Sequence, residues 1–164
     1  MRSFVQENLS LQIKDRFPDV QVIAGVATGA IGIAALVAHQ LELPMIYVRS
    51  SAKGHGRQNL IEGILKKGQK VVIVEDLIST GMSSLKAVQA IIESEGEVLG
   101  MSAIFTYGFE IAKDAFMKKE CDLITLGDYS NLISSLKDSK YFDSNEISTL
   151  ESWRENPKTW KGLM

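Results

Sequence analysis

Glu75 and Asp76 stand side by side, and Ser79, Thr80, Gly81, Met82 and Ser83 follow them after the short spacer Leu77 and Ile78. Carboxylates delivered to the end of an apolar strand can grip hydroxyl groups where ligands of open α/β sheets sit. Hydroxyls and a glycine opening a helix, with its free backbone N–H groups, make a cradle for phosphate. A ligand with both a phosphate and a pair of hydroxyls suits the two halves together, and ribose 5-phosphate is such a molecule. On an extended chain neighbouring side chains face opposite ways, so one of the two carboxylates points straight at a given ligand. The bland alternative is that Glu75 and Asp76 cap the following helix, since polar helix starts are common.

A second polar stretch covers residues 49–59, where Arg49, Lys53 and His55 occur together and Gly54 and Gly56 flank the histidine. The plain alternative is a solvated surface loop with scattered charge. No Gly-x-x-x-x-Gly-Lys-Ser/Thr occurs anywhere, and Gly25 and Gly29 have the wrong spacing for a dinucleotide fingerprint. His39 has no acidic neighbour at motif spacing and reads as structural, and the lone Cys121 has no activating base near it in sequence and reads as a bystander.

The elements that must position these residues follow from apolar periodicity. Phe4, Val5, Leu9, Leu11, Ile13 and Phe17 recur near helical spacing and stop before Pro18. Residues 20–27 read as a short buried strand, 28–30 as a turn, 31–41 as an alanine-rich helix and 45–49 as a second strand. Residues 61–65 alternate enough for a strand, 66–69 turn, and the branched run 71–74 suits the middle of a parallel sheet. A helix through Leu85, Val88, Ile91 and Ile92, a strand over 98–106, a helix over 109–119 and a strand over 122–126 complete the alternation. The remainder, 128–164, gives one or two short helices with Trp153 and Trp160 as packing anchors. Such alternation predicts a single α/β domain over residues 1–164 with a mostly parallel central sheet flanked by helices.

Composition narrows the function classes. Of the 164 residues 45% are hydrophobic and 23% charged, the balance of a globular chain. The 18 basic and 20 acidic residues form no long block of one sign, which argues against nucleic acid as a partner. No apolar run approaches the ~20 residues needed to span a bilayer and the first residues lack a secretion pattern, so the sequence reads as cytoplasmic with no membrane partner.

The order of apolar strand, two acids, short spacer and Thr80-Gly81 resembles the 5-phosphoribosyl 1-pyrophosphate signature of the type I phosphoribosyltransferases. The pattern Arg49, Lys53, His55-Gly56 resembles the catalytic loop of the orotate phosphoribosyltransferases, which in that family closes over the active site of the neighbouring subunit. The resemblance covers nearly the whole chain, including Ile104, Phe105, Thr106, Tyr107 and Gly108 and the acidic, helical C terminus. It implies the type I phosphoribosyltransferase fold and transfer of the phosphoribosyl group to orotate, giving orotidine 5-monophosphate and pyrophosphate. Carried over by residue, Arg49, Lys53 and His55 contact the pyrophosphate, Glu75 and Asp76 the ribose hydroxyls, and Ser79, Thr80, Gly81, Met82 and Ser83 the 5-phosphate, with Leu77 and Ile78 between them part of the same substrate-binding segment. Ala27, Thr28, Gly29 and Ala30 take the place of the pyrophosphate loop, and Ser79 also reaches the base.

The resemblance implies that in catalysis Asp76, with Glu75, favours a cationic ribose and Lys53 and Arg49 stabilise the leaving group, while His55 either donates a proton to it or packs to order the loop. Mg²⁺ is the cofactor implied, with no dedicated all-protein metal site. The resemblance also implies a homodimer sharing the 49–59 loop across subunits. The chain departs from the pattern at Ser50 and Gly29, where many members have lysine, and at Tyr107 and Gly108, where many have an arginine. Members also carry a further segment ahead of the first core helix, which here begins almost at Met1. The alternatives are a phosphoribosyltransferase for another base, such as a purine, and a non-catalytic regulator that keeps the sugar site.

Overall fold

A computed structural model describes residues 1–49, 60–139, 141–157 and 159–160. The segment 50–59, and with it the expected roles of Lys53 and His55, lies outside the described residues. In chain order the elements are α1 (Arg2–Arg16), β1 (Val22–Val26), α2 (Ile31–Leu41), β2 (Met45–Val48), β3 (Ile61–Glu62), β4 (Lys70–Ile78), α3 (Met82–Glu93), β5 (Glu97–Thr106), α4 (Glu110–Lys118), β6 (Leu123–Asp128), α5 (Tyr129–Lys137) and α6 (Ser144–Glu155). They build a six-stranded sheet in the order β3-β2-β1-β4-β5-β6. Every pairing is parallel except β2 with β3, which is the mostly parallel α/β architecture read from the sequence.

Two apolar layers clamp the sheet because β4 is apolar on both faces. Val72 and Val74 pack with Leu9, Ile13 and Phe17 of the α1 region and Ala34 and Val37 of α2. Val71 and Ile73 pack on the opposite face with Ala87, Val88 and Ile91 of α3 and Ala112 and Phe116 of α4. Each of these four β4 residues is fully buried, a gain of about 1.5–3 kcal/mol apiece relative to exposure.

The strand order reverses where β1 meets β4. From β1 the chain winds outward to β2, and from β4 it winds the other way to β5 and β6. Two diverging connections leave a crevice above the carboxyl ends of those strands, the usual ligand position of an open α/β sheet.

Several elements differ from the sequence expectation. The predicted strand over 61–65 shortens to Ile61–Glu62 and leaves Ile64 80% exposed, since β3 is an edge strand with one paired neighbour among the described residues. β4 does not stop at Val74; its ladder to β5 runs on through Glu75↔Ala103, Leu77↔Phe105 and Ile78↔Thr106. Backbone pairing carries the strand through polar residues whatever their side chains. Trp153 is an anchor, within 5.3–5.9 Å of the rings of Tyr107, Phe109 and Tyr129. Trp160 is not, being 40% exposed. His39 stands exposed in the last turn of α2. Cys121 is buried, which pushes its thiol up to about 11 and suits an inert side chain.

Candidate active site

Three chain segments meet at the crevice between β1 and β4. The first is the turn 27–30 that leaves β1, in which Thr28 and Gly29 are exposed and Ala30 is buried. It is pinned at both ends, with the Ala27 N–H donating to the Val48 carbonyl at 2.8 Å and the Ala30 N–H to the Val26 carbonyl at 3.1 Å. The second is the end of β4 with the two acids, and the third is the start of α3.

The acids divide as strand geometry requires. Glu75 is 5% exposed and turns toward α3, where the Ser84 hydroxyl donates to its Oε2 at 2.9 Å. Asp76 turns the other way, is exposed, and accepts from the Leu77 N–H at 2.8 Å. Its carboxylate lies directly over Gly29: a Cβ built there would meet Asp76 Cγ at 2.7 Å and Oδ2 more closely still. The missing side chain of Gly29 is therefore what lets the turn and Asp76 share the crevice.

Burial pushes the Glu75 carboxyl up from 4.5 to about 7, helped by its contact with Asp76 and opposed by the Ser84 donor. Between those values the folded state holds a proton that the unfolded chain has lost, so this group costs stability as pH rises through the window and no more above it. The full cost is about 3 kcal/mol. Glu75→Gln should flatten this part of the profile, so that the melting temperature of the variant changes less than that of the wild type between pH 5 and 8; identical pH profiles would contradict a protonated Glu75.

At the start of α3, Gly81 occupies the N-cap with φ +76°, and no side chain caps the helix. The first-turn N–H groups therefore lack a side-chain acceptor, and an anion can take that place. A Cβ on Gly81 would meet Phe116 Cε2 at 2.8 Å, so close packing on α4 adds to the backbone requirement for glycine. Ser79, Met82 and Ser83 are exposed and Thr80 is half-buried around this opening. Leu77 is 41% exposed, whereas the Ile78 side chain is fully buried. Only backbone is available from Ile78, and its carbonyl already accepts from the Tyr107 N–H at 3.0 Å and the Thr106 hydroxyl at 3.3 Å.

Arg49 follows β2, with its N–H donating to the Leu60 carbonyl at 2.8 Å and its guanidinium 3.2 Å from Glu62 Oε1. The structure thus brings together Ala27, Thr28, Gly29, Ala30, Asp76 and the 79–83 helix start, with Arg49 at the end of the next parallel strand. It turns Glu75 away to the α3 side. Sequence reasoning did not find Ser84 as the partner of Glu75, although its nine-residue separation across a strand-to-helix turn fits that contact. It also did not find Arg154, whose guanidinium reaches the carbonyls after β5 from a distant helix; no local pattern marks it.

Comparison with known proteins agrees with this geometry. The family model of the phosphoribosyl transferase domain matches residues 4–134. The orotate phosphoribosyltransferase of Porphyromonas gingivalis is 50% identical over 160 residues, covering 98% of this chain and 76% of the relative. That of Listeria innocua is 49% identical over 160 residues, covering 98% and 77%. Among solved structures, the orotate phosphoribosyltransferase from Aeropyrum pernix superposes with a TM-score of 0.74 at 28% identity, over 84% of this chain and 76% of that one. Sharing a domain model, a fold and about half its residues with these proteins over nearly its whole length, the chain belongs to the orotate phosphoribosyltransferase family.

Proposed function

We propose that the chain transfers the 5-phosphoribosyl group of 5-phosphoribosyl 1-pyrophosphate to a ring nitrogen of orotate, giving orotidine 5-monophosphate and pyrophosphate in UMP synthesis. The observation that carries this reading is the exposed Asp76 carboxylate over Gly29, beside an uncapped helix start at the strand reversal. The C1–N bond forms as the C1–O bond to pyrophosphate breaks, the leaving group takes the electron pair, and the ring nitrogen gives up its proton. Positive charge grows on the ribose and negative charge on the departing group, so the protein's work is positional and electrostatic.

In this scheme the 79–83 segment binds the 5-phosphate, Asp76 holds the ribose hydroxyls and favours its positive charge, and residues 27–30 with Arg49 receive the pyrophosphate. Glu75, held by Ser84, fixes the strand-to-helix junction. Lys53 stabilises the leaving group and His55 supplies it a proton, both by resemblance to the family loop.

Mg²⁺ is the cofactor we propose. Among the described residues no three His, Cys, Asp or Glu side chains gather to hold a metal, so the exposed Asp76 carboxylate would share the ion with hydroxyl and phosphate oxygens of the substrate and with water. That donor set suits a hard cation that keeps several waters. When bound, the ion neutralises charge on the departing pyrophosphate. We further propose a homodimer in which the 49–59 segment serves the neighbouring subunit, and a cytoplasmic location; no helix among the described residues is long and apolar enough to cross a membrane. The dimer is tested by restoring activity on mixing two inactive variants that fail on opposite sides of the shared site.

Pyrophosphate release measured with orotate, uracil, adenine and hypoxanthine tests the reaction. Release with orotate and no other base is expected, and release with a purine alone would overturn the assignment.

A further inference from the structure

We infer that Arg154, near the end of α6, is the cation that receives the carboxylate of the base and so sets the preference for orotate over uracil; the inference rests on the proposed reaction and deepens it. The two bases differ by one carboxylate, ionised at neutral pH, and an anion drawn into a partly closed site needs a cationic partner.

A cavity of about 490 Å³ opens beside Thr80, within the ~300–1,000 Å³ of small-molecule sites. Gly108, Phe109, Glu110, Ile111 and Arg154 line it. Thr80 belongs to the phosphate-binding segment, so the cavity adjoins the sugar site. It lies on the β5 side of β4, whereas the turn 27–30 lies on the β1 side. Base and pyrophosphate thereby have separate places across the ribose, as displacement at one carbon requires.

The guanidinium is fixed by backbone. Arg154 Nε donates to the Tyr107 carbonyl at 3.2 Å and Nη2 to the Gly108 carbonyl at 3.3 Å. These bonds use two of its five N–H donors and leave the Nη1 edge for a ligand. Among the described residues no carboxylate forms an ion pair with Arg154; Glu110, which feels its charge, is bonded instead to Lys113 at 2.7 Å. Phe109, stacked on Tyr107 at a centroid distance of 5.4 Å, makes a firm wall beside it. Arg49, at the end of β2, stands two strands from β4 and is paired with Glu62.

Calorimetry of the full chain with orotidine 5-monophosphate and with uridine 5-monophosphate, which lacks the carboxylate, tests the assignment. The wild type should bind the first more tightly. Arg154→Gln should weaken it by about 10- to 100-fold, leave the second and the activated sugar unchanged, and so erase the preference. Arg154→Lys should restore part of it, since lysine keeps the charge and loses the fork. If the wild type shows no preference between the nucleotides, the base assignment itself falls and this inference with it. If the wild type shows the preference and the glutamine variant keeps it, only the role of Arg154 falls. Should the glutamine variant not fold, phenylglyoxal labelling of the wild type decides: Arg154 protected by the carboxylated nucleotide and not by the other supports the inference, and equal labelling with both overturns it.

Discussion

Asp76→Asn is expected to lower kcat by about 10²- to 10³-fold, the usual cost of removing one preorganised electrostatic group from a reacting centre. Stability should change by no more than about 0.5 kcal/mol, because the side chain is exposed and its short bond to the Leu77 N–H can be kept by the amide oxygen. Steady-state kinetics beside a thermal melt separate these effects. A loss under about threefold in kcat would remove Asp76 from the mechanism. Gly29→Ala probes the same carboxylate from the facing turn. Its Cβ would lie 2.7 Å from Asp76 Cγ, so the carboxylate must move, and kcat/KM for the activated sugar should fall about tenfold. Once Asp76 is already asparagine the glycine replacement should cost much less than it does alone, because contacting residues are not additive. Simple addition of the two losses would mean that the turn and the carboxylate act separately.

Lys53→Ala is expected to lower kcat by about 10²- to 10³-fold with KM for the activated sugar changed by less than about threefold, the signature of a group that acts on the transition state more than on the bound substrate. The charge it offsets exists only as pyrophosphate departs. Equal losses in binding and turnover would refute that role. The same variant also tests the shared site. If Lys53 serves the neighbouring subunit, mixing inactive Lys53→Ala with inactive Asp76→Asn gives mixed dimers in which one of two sites is intact. About a quarter of wild-type activity should then return after subunit exchange. No return, with exchange shown by mass, would place both groups in one subunit.

Much of this protein was legible in its sequence because the informative signals are local. The branched run 71–74 suits a strand buried on both faces, and Thr80-Gly81 suits a polar helix start, so the sheet and the uncapped opening of α3 follow from neighbours in the chain. Strand alternation also foretold that the two acids would face opposite ways, and Glu75 turns to Ser84 while Asp76 turns over Gly29.

Which way each acid turns was decided only by tertiary structure, since it depends on whether Ser84 of α3 or the turn at Gly29 lies on a given face of β4. The same holds for Arg154, which lies 47 residues from the Tyr107 carbonyl it meets. Sequence fixes what a residue can do through its own chemistry and its near neighbours. Packing decides which distant groups share a crevice, because only the closed sheet, its direction reversed between β1 and β4, sets the turn 27–30, Asp76 and the α3 start around one cleft.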